Sequence, residues 1–378
     1  MEQQQDCRSC SAFLTEIQLH MMNRMPSAAR TLTYVLTSAI CWNSLADDRP
    51  RVLQLPPAPK LPTVQQVVQE TEPPPKPPAF TDPAEAGEDY LIQGEYTGQV
   101  AVDGVDTWYG VQVVAGGEGT FDVVILHGGL PGNGWDGTSR EQVSAESAEE
   151  QLTFPWGDGA AELSDKKIHV SNASGESIGR LSKVVRKSRT LGLPAPPHAI
   201  VLFDGSNADA FEGGQMTEDG LLMQGVTSHE KFQDFRLHIE WRTPFMPTAR
   251  GQARGNSGAY MQGRYEVQML DSFGLTGEDN EAGGIYSIKK PDVNMAFPPL
   301  TWQTYDVDFT AARYDAEGNK MADARMTVRH NGIIVQNDVP IPEATRAAPF
   351  TEGPDPGPLY LQDHGNPVRY RNIWIVPR

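Results

Sequence analysis

Apolar and polar side chains alternate along several short stretches in the second half of the chain. In FRLHIEWRT (residues 235–243) every second side chain is apolar, and RYEVQML (264–270) and WQTYDVDFT (302–310) show the same alternation. A period of two is the period of a β-strand, so each stretch predicts a strand with one apolar and one polar face. The polar faces would carry Arg236, His238, Glu240 and Arg242, then Arg264, Glu266 and Gln268, then Trp302, Thr304, Asp306 and Asp308.

Turn signals separate the apolar stretches. Asn331-Gly332 joins ARMTVRH to IIVQND, and Gly-Gly-Glu-Gly at residues 116–119 separates two β-branched stretches. Both are typical of β-hairpins. An all-β fold is therefore predicted, with an antiparallel sandwich over residues 199–378 and a smaller β-rich accessory domain over residues 87–198.

The first 86 residues are predicted to lie outside these two domains. Arg24 and Arg30 precede an apolar stretch, and Ser-Leu-Ala at residues 44–46 follows it, which is the layout of a secretory signal peptide. We expect residues 1–46 to be a leader, cleaved near Ala46 on export to the periplasm or the cell exterior. Lipid attachment at Cys41 is the less favoured alternative, because Ile40 is bulky. Residues 47–86 are rich in proline and predict a semi-rigid linker.

The net charge and the positions of the cysteines limit which partners, disulfides and metal sites are expected. The formal net charge is −18, which would repel nucleic acid. Cys7, Cys10 and Cys41 all precede the linker, so neither predicted domain has a disulfide or a cysteine-ligated metal. The apolar part of the leader is too short to span a bilayer comfortably, and no membrane span is predicted.

Six blocks of sequence resemble one known family. They are VLFDGSN (201–207), KFQDFRLHIEW (231–241), GNSGAYMQGRYEVQMLDSFG (255–274), WQTYDVDFTA (302–311), HNGIIVQNDV (330–339) and GPLYLQDHGNPVRYRNIWI (357–375). In this order they resemble the 3-keto-disaccharide hydrolase family over roughly residues 200–378. The resemblance implies a concanavalin A-like jelly-roll sandwich, and an enzyme that cleaves glycosides already oxidised to a ketone at C3.

The chemistry that the resemblance implies is elimination across C1 and C2, followed by addition of water. A C3 carbonyl acidifies the hydrogen on C2, so the site needs a base near C2, an acid near the glycosidic oxygen and a donor at the C3 oxygen. We expect Glu266 or Glu240 as the base and His364 or His238 as the acid. Arg264 or Gln362 would stabilise the developing charge. Further substrate contacts are expected from Gln268, Asp271, Trp302, Tyr260 and Asn256.

The alternation of polar and apolar side chains is also compatible with polar faces that are exposed to solvent and have no binding role. On such a face Glu240 would pair with Arg236 or Arg242. No cofactor is predicted. A divalent cation on Asp306, Asp308, Glu240 and Glu266 stays an alternative, although no loop has the ligand spacing of a calcium site. The expected partner is a small-molecule or oligosaccharide substrate.

Two other functions fit the same fold. A non-catalytic glycan-binding module would use exposed aromatic platforms, for which Trp302 and Tyr260 are candidates. A conventional retaining glycosidase would need two carboxylates close together around the scissile bond. Convergent acid and base groups would distinguish the predicted lyase from the binding module.

Overall fold

The described part of the chain folds almost wholly into antiparallel β-sheet. The computed structural model describes residues 76–148 and 151–378, whose strands form a closed barrel followed by a two-sheet sandwich. The predicted all-β class, with a jelly-roll sandwich behind a smaller β-rich region, is confirmed. The predicted signal peptide, the three cysteines and most of the Pro-rich linker lie outside the described residues. No helix in the described part is long and apolar enough to cross a bilayer.

Eight consecutive strands form the barrel, and the last pairs with the first to close it. The strands are β1 (Gly94–Val102), β2 (Val105–Gly117), β3 (Thr120–His127), β4 (Arg140–Ala148), β5 (Gln151–Trp156), β6 (Gly159–Ser164), β7 (Lys167–Ser171) and β8 (Ser177–Val184). A 3-10 turn (Pro83–Glu85) and helix α1 (Gly87–Ile92) precede them. The hairpin predicted at residues 116–119 is confirmed, since Gly117 and Gly119 adopt the positive φ that its turn requires.

Two sheets form the sandwich. The five-stranded sheet has the order β10-β12-β21-β14-β15, and the seven-stranded sheet has the order β11-β22-β13-β16-β19-β20 with β9 paired to β22. The strands are β9 (Ile200–Phe203), β10 (Phe211–Glu212), β11 (Leu222–Met223), β12 (Val226–Phe232), β13 (Phe235–Arg242), β14 (Ser257–Met261), β15 (Tyr265–Met269), β16 (Gln303–Thr310), β19 (Ala324–His330), β20 (Ile333–Ile341), β21 (Gly357–Leu361) and β22 (Arg369–Pro377). A separate pair is formed by β17 (Arg313–Tyr314) and β18 (Lys320–Ala322), and a second 3-10 turn spans Gly251–Ala253.

The sandwich core is built from the apolar strand faces that the sequence predicts. Side chains from β13, β15 and β16 meet in one buried cluster between the sheets: Phe235, Leu237, Ile239, Trp241, Tyr265, Val267, Met269, Tyr305, Val307 and Phe309. The Asn331-Gly332 turn joins β19 to β20 as predicted, with both residues at positive φ. Alternation therefore identifies the inward and outward sides of each strand correctly.

The barrel and the sandwich belong to one compact unit, so the domain boundary at residues 198 and 199 stays a prediction. Arginines from both sides join them. Arg254 Nη1 donates to Ala115 O (3.1 Å), Arg250 Nη2 donates to Gly116 O (2.7 Å), and Arg140 Nη2 donates to Gly274 O (2.7 Å). Phe245 from the sandwich is buried with the barrel core.

The connection from β8 to β9 crosses the outer face of the seven-stranded sheet. We call residues 188–193 the strap. Ser188 Oγ lies 2.6 Å from Thr304 Oγ1, and Gly192 N donates to Glu240 Oε1 at 2.5 Å. Asn372 and Trp374 both donate to the carbonyl of Leu193. The strap is therefore hydrogen-bonded to the sandwich along its whole length.

Candidate active site

The two polar strand faces predicted to share a cleft lie on opposite sides of the sandwich. Strand β13 belongs to the seven-stranded sheet and β15 to the five-stranded sheet, and Ile239 and Val267 both point into the core between them. Glu240 and Glu266 point the other way, so the two sheets, about 10 Å apart, lie between them. The expected convergence of Glu240 with Glu266 is wrong. Alternation fixes the face of a strand, but it does not say to which sheet the strand belongs.

Glu266 lies on the outer face of the five-stranded sheet and is only 2% exposed. Its strand pairs with β14, which places Tyr260 directly opposite it and Gly258 two pairs further along, on the same face of the sheet. A methyl group on Gly258 would overlap the Glu266 carboxylate. The backbone N–H of Glu266 donates to Thr345 Oγ1 at 3.0 Å. The Glu266 carboxylate therefore fits at this place because residue 258 is a glycine and has no side chain.

Burial controls the charge of this carboxyl. Desolvation raises the pKa of Glu266 to about 8, and the Tyr260 hydroxyl offsets only part of that rise. Within the described residues, no basic side chain forms an ion pair with Glu266. Desolvation and the neighbouring Glu266 carboxyl also raise the pKa of Tyr260, so the phenol keeps its proton. The pair consists of a carboxyl that titrates near neutral pH beside a neutral hydrogen-bond donor.

Strand β21 brings a third group to this pair. Gln362, which follows β21, donates from Nε2 to the Tyr260 hydroxyl at 3.2 Å, and the ring centroids of Tyr260 and Tyr360 lie 5.4 Å apart. Tyr360 and Gln362 alternate with the core residues Leu359 and Leu361. Tyr360 is not among the residues predicted above, although the same period of two places it on this face. Together these residues provide a base, phenol donors and an amide donor on one face.

An amide cluster adjoins these residues. Gln268 Nε2 donates to Gln252 Oε1 at 3.0 Å, and Asn256 Nδ2 donates to the carbonyl of Gln252 at 2.8 Å. Asn366 Oδ1 accepts from the backbone N–H of Asn256 at 2.7 Å. Asn256 Oδ1 is buried and has no hydrogen-bond donor among the described residues. The predicted roles of Gln268 and Asn256 in substrate binding stay predictions, and Asn256 Oδ1 is an acceptor that no described residue uses.

His364 lies in the loop between β21 and β22, two residues after Gln362. It is exposed, and its imidazole makes no hydrogen bond to the described residues. The predicted role of His364 as an acid stays a prediction. Its position in the chain keeps it near the end of the strand that supplies Gln362.

Arg264 and Asp271 are occupied by other parts of the chain. The guanidinium of Arg264 donates to the carbonyls of Thr351, Gly353 and Asp355, which fixes the loop before β21. Asp271 Oδ2 accepts from Arg254 Nε at 2.7 Å. Both arrangements stabilise loops. The substrate contacts expected of Arg264 and Asp271 stay predictions.

His238 and Glu240 form a separate buried cluster under the strap. His238 Nδ1 lies 2.7 Å from Asp306 Oδ1, its other nitrogen lies 3.7 Å from Glu240 Oε1, and its ring stacks on Trp374. Arg371 Nε donates to Glu240 Oε2 at 2.7 Å. Burial alone would raise the pKa of Glu240, but hydrogen bonds, the one from His238 foremost, lower it to about 2.

The pairing within this cluster favours a structural role. Burial opposes protonation of His238, yet the hydrogen bonds to Asp306 and Glu240 raise its pKa overall. A permanently ionised carboxylate that holds a histidine and an arginine is a poor general base. The prediction that Glu240 and His238 serve as base and acid beside Glu266 is therefore corrected by their location and by their pairing.

Trp302 also lies away from Glu266. It is half-buried, and the guanidinium of Arg371 lies 4.1 Å from its ring centroid. Arg242 contacts the same ring at 5.1 Å. These cation–π contacts tie Trp302 to the Glu240 side of the sandwich, so it does not form an aromatic platform next to Tyr260 as expected.

Over residues 76–148 and 151–378, no group of three or more His, Cys, Asp or Glu side chains is placed to hold a metal ion. The four carboxylates considered as cation ligands are divided between the two faces, because Asp306, Asp308 and Glu240 belong to the seven-stranded sheet and Glu266 does not.

Comparison with known proteins gives one family match. Residues 198–376 match the model of a 3-keto-alpha-glucoside-1,2-lyase-like domain. Among curated proteins, none matches the chain.

Two crystal structures of candidate glycosyl hydrolases from Parabacteroides distasonis are similar to part of the chain. One is 35% identical, with 48% of this chain and 85% of that chain covered and a TM-score of 0.44. The other is 20% identical, with 48% and 94% covered and a TM-score of 0.35. The family match supports a carbohydrate-active function for residues 198–376.

Proposed function

We propose that this chain, which belongs through residues 198–376 to the 3-keto-alpha-glucoside-1,2-lyase-like family, cleaves 3-keto-glycosides by elimination followed by hydration. The observation that carries the proposal is the Glu266 carboxyl. It is buried, its pKa is raised to about 8 by desolvation, and it faces the neutral phenol of Tyr260 across two paired strands. Removal of a proton next to a ketone needs such a base, and a neighbouring neutral donor can bind the enolate oxygen.

The first step is proton abstraction at C2. Ionised Glu266 removes the C2 hydrogen as a proton, and the electron pair of the C2–H bond forms a C2–C3 double bond with negative charge on the C3 oxygen. Gln362 and Tyr260 supply N–H and O–H donors on the same face. Because these groups are neutral, they stabilise the enolate without holding Glu266 permanently ionised, as an adjacent arginine would.

The second step breaks the glycosidic bond. The enolate re-forms the C3 carbonyl, a C1–C2 double bond forms, and the C1 oxygen leaves with a proton from an acid. We assign that acid to His364, which is exposed and follows Gln362 in the loop after β21. Water then adds across C1 and C2: the deprotonated acid takes a proton from the water, the hydroxide adds at C1, and Glu266, whose proton has exchanged with solvent, protonates C2. The net reaction is hydrolysis.

A conventional retaining mechanism receives less support. It requires a second carboxylate about 5 Å from the first, and two other carboxylates named in the sequence are engaged elsewhere. Glu240 pairs with Arg371 on the opposite sheet, and Asp271 pairs with Arg254. We also propose that the protein acts after export, on the basis of the predicted signal peptide.

The test compares a 3-keto-glucoside with its unoxidised parent, with aglycone release as the measurement. We expect release from the keto sugar only, and deuterium at C2 of the product when the reaction runs in D₂O. The Glu266→Gln variant should lose both. Release of the aglycone from the parent sugar would refute the mechanism. Binding of glycans without turnover of either would indicate the non-catalytic module instead.

A further inference from the structure

The barrel is closed at one end. Helix α1 lies beside the β2–β3 turn, where Gln93 Oε1 accepts from the backbone N–H of Ala115 at 3.0 Å. The ring of Tyr90 meets Phe245 edge-on at 5.5 Å, and Phe245 is fully buried with the barrel core. This end is therefore filled by side chains and contacts the sandwich.

The opposite end opens into a cavity of about 630 Å³. Its walls come from the β1–β2 turn, the ends of β3 and β5, the start of β4 and the β7–β8 turn. The lining residues all lie between 101 and 178, whereas the candidate active site uses residues 252–366. Small-molecule sites typically have volumes of about 300–1,000 Å³ and occur in the mouths of barrels. Eight strands leave room for one small ligand.

Aromatic side chains form the floor of this cavity. The ring of Tyr109 contacts Trp156 at 5.1 Å and His127 at 4.8 Å, and Ile125 and Ile178 complete the apolar surface. Tyr109 and Trp156 are largely buried, while the His127 side chain is 39% exposed. Such a surface suits the apolar face of a ring-shaped ligand.

Hydrogen-bond acceptors surround the opening. Asp103, Glu141, Asp158 and Glu176 line it together with Asn172. Among the described lining residues none is a lysine or an arginine, so a phosphate, a carboxylate or a nucleotide would be repelled. Ionised carboxylates only accept hydrogen bonds, so the fitting ligand offers many donors and no negative charge.

We propose that this open end of the barrel is a second binding site, for a neutral mono- or disaccharide. The apolar face of a sugar ring can stack on the aromatic floor, while its hydroxyl groups donate to the acceptors around the opening. A disaccharide suits the volume of the cavity. A small quaternary ammonium ion would leave most of the cavity empty. The choice of a sugar among neutral polyols rests on the proposed function of the sandwich, whereas the existence and position of the site do not.

The test is calorimetric titration of the full chain carrying Glu266→Gln with maltose, cellobiose and trehalose, and with one 3-keto derivative. We expect saturable binding of at least one sugar. Adding His127→Ala with Asp158→Asn should weaken it by at least about tenfold, since these changes remove one ring and one acceptor from the opening. The control is Trp108→Ala, because Trp108 neighbours Tyr109 in β2 but faces the outside of the barrel. It should leave binding unchanged.

Three results would overturn the proposal: no sugar binds, tetramethylammonium binds in preference to sugars, or the barrel substitutions leave sugar binding unchanged. The proposed function is tested separately. The barrel variant with Glu266 intact should cleave a small soluble 3-keto-glucoside at the wild-type rate. If that cleavage is absent from the wild-type chain, the proposed function fails while the titration still decides the barrel site.

Discussion

The two outer faces of the sandwich are built from strands with the same alternation of polar and apolar side chains. The pKa of the buried glutamate on one face is nevertheless raised, and that of the buried glutamate on the other face is lowered. On the five-stranded sheet, burial raises the pKa of Glu266 to about 8. On the seven-stranded sheet, burial acts in the same direction on Glu240, but the hydrogen bonds from His238 and its neighbours lower the pKa to about 2. One carboxyl titrates near neutral pH and the other is ionised at every physiological pH.

The difference comes from what covers each carboxylate. Glu240 accepts hydrogen bonds from the strap and from Arg371 and Asn372 on β22. Glu266 faces Tyr260 and the space left by Gly258. A buried carboxylate with a full set of donors stabilises a fold, and one without them is poised for proton transfer. The comparison leads to four predictions, in order of decreasing effect.

The largest expected effect is a difference in kcat between variants of the two carboxylates. Glu266→Gln should lower kcat for a 3-keto-glucoside by ~10²–10⁴-fold, because it removes the general base. Glu240→Gln should change kcat less than about threefold, because Glu240 lies across the sandwich from the reacting groups. Steady-state rates of purified, folded variants at pH 8 give the measurement. Equal losses in both variants would mean that the faces do not differ in function.

The next effect is on the free energy of unfolding. Here Glu240→Gln should have a larger effect than Glu266→Gln. The depressed pKa of Glu240, about 2 against an ordinary value of 4.5, corresponds to about 3 kcal/mol of stability at neutral pH. Because the folded-state pKa is the lower one, this stability is present above 4.5 and is lost as pH falls through about 2. Urea unfolding should show Glu240→Gln destabilised by about that amount at pH 7 and by less than half of it at pH 3.

Glu266→Gln serves as the control in the same urea series. Its amide replaces a carboxyl that burial already keeps largely protonated at pH 7, so we expect a change below about 1 kcal/mol. A deficit of Glu240→Gln that stays constant from pH 7 to pH 3 would contradict the assigned pKa.

The third effect is the pH dependence of cleavage. The ionised form of Glu266 is the base, so kcat/KM should rise about tenfold per pH unit as the pH approaches the pKa of about 8 from below. The profile is measured with the 3-keto-glucoside between pH 5.5 and 9.5. A rate that is flat from pH 6 upward would show that a different group, with an ordinary pKa, removes the proton.

The smallest effect comes from Gly258→Ala, whose added methyl overlaps the Glu266 carboxylate. Displacing the base by a fraction of an ångström should lower kcat by roughly tenfold, because proton transfer depends on the placement of the base. Gly353→Ala is the matched control, since nothing lies within 4 Å of the added methyl. If Gly258→Ala keeps full activity, the carboxylate does not need its observed position.

Local patterns predict most of the strands. Alternation identifies which side chains of β13, β15 and β16 enter the core, and the Asn331-Gly332 pair predicts its hairpin. These features depend on neighbours in sequence, for which period and turn chemistry are sufficient. The polar side chains of the candidate site follow the same rule, which is why Glu266, Tyr260 and Gln362 are found by pattern together with family resemblance.

Partners that come from distant segments cannot be predicted in this way. The strap covers Glu240 from about fifty residues upstream, and Arg264 is engaged by carbonyls of residues 351–355. Nothing in the pattern of β13 or β15 distinguishes a face that will be covered from one that will stay open. The assignment of β13 and β15 to different sheets likewise follows from the pairing order of all the strands.

The strap also sets the shortest fragment that can fold as an intact sandwich. The family match begins at residue 198, downstream of the strap at residues 188–193. A protein trimmed to that boundary would keep Glu240 but lose the N–H of Gly192 that its carboxylate accepts, and the Leu193 carbonyl that binds Asn372 and Trp374. A fragment that keeps these contacts must therefore start no later than Ser188, before the family match begins.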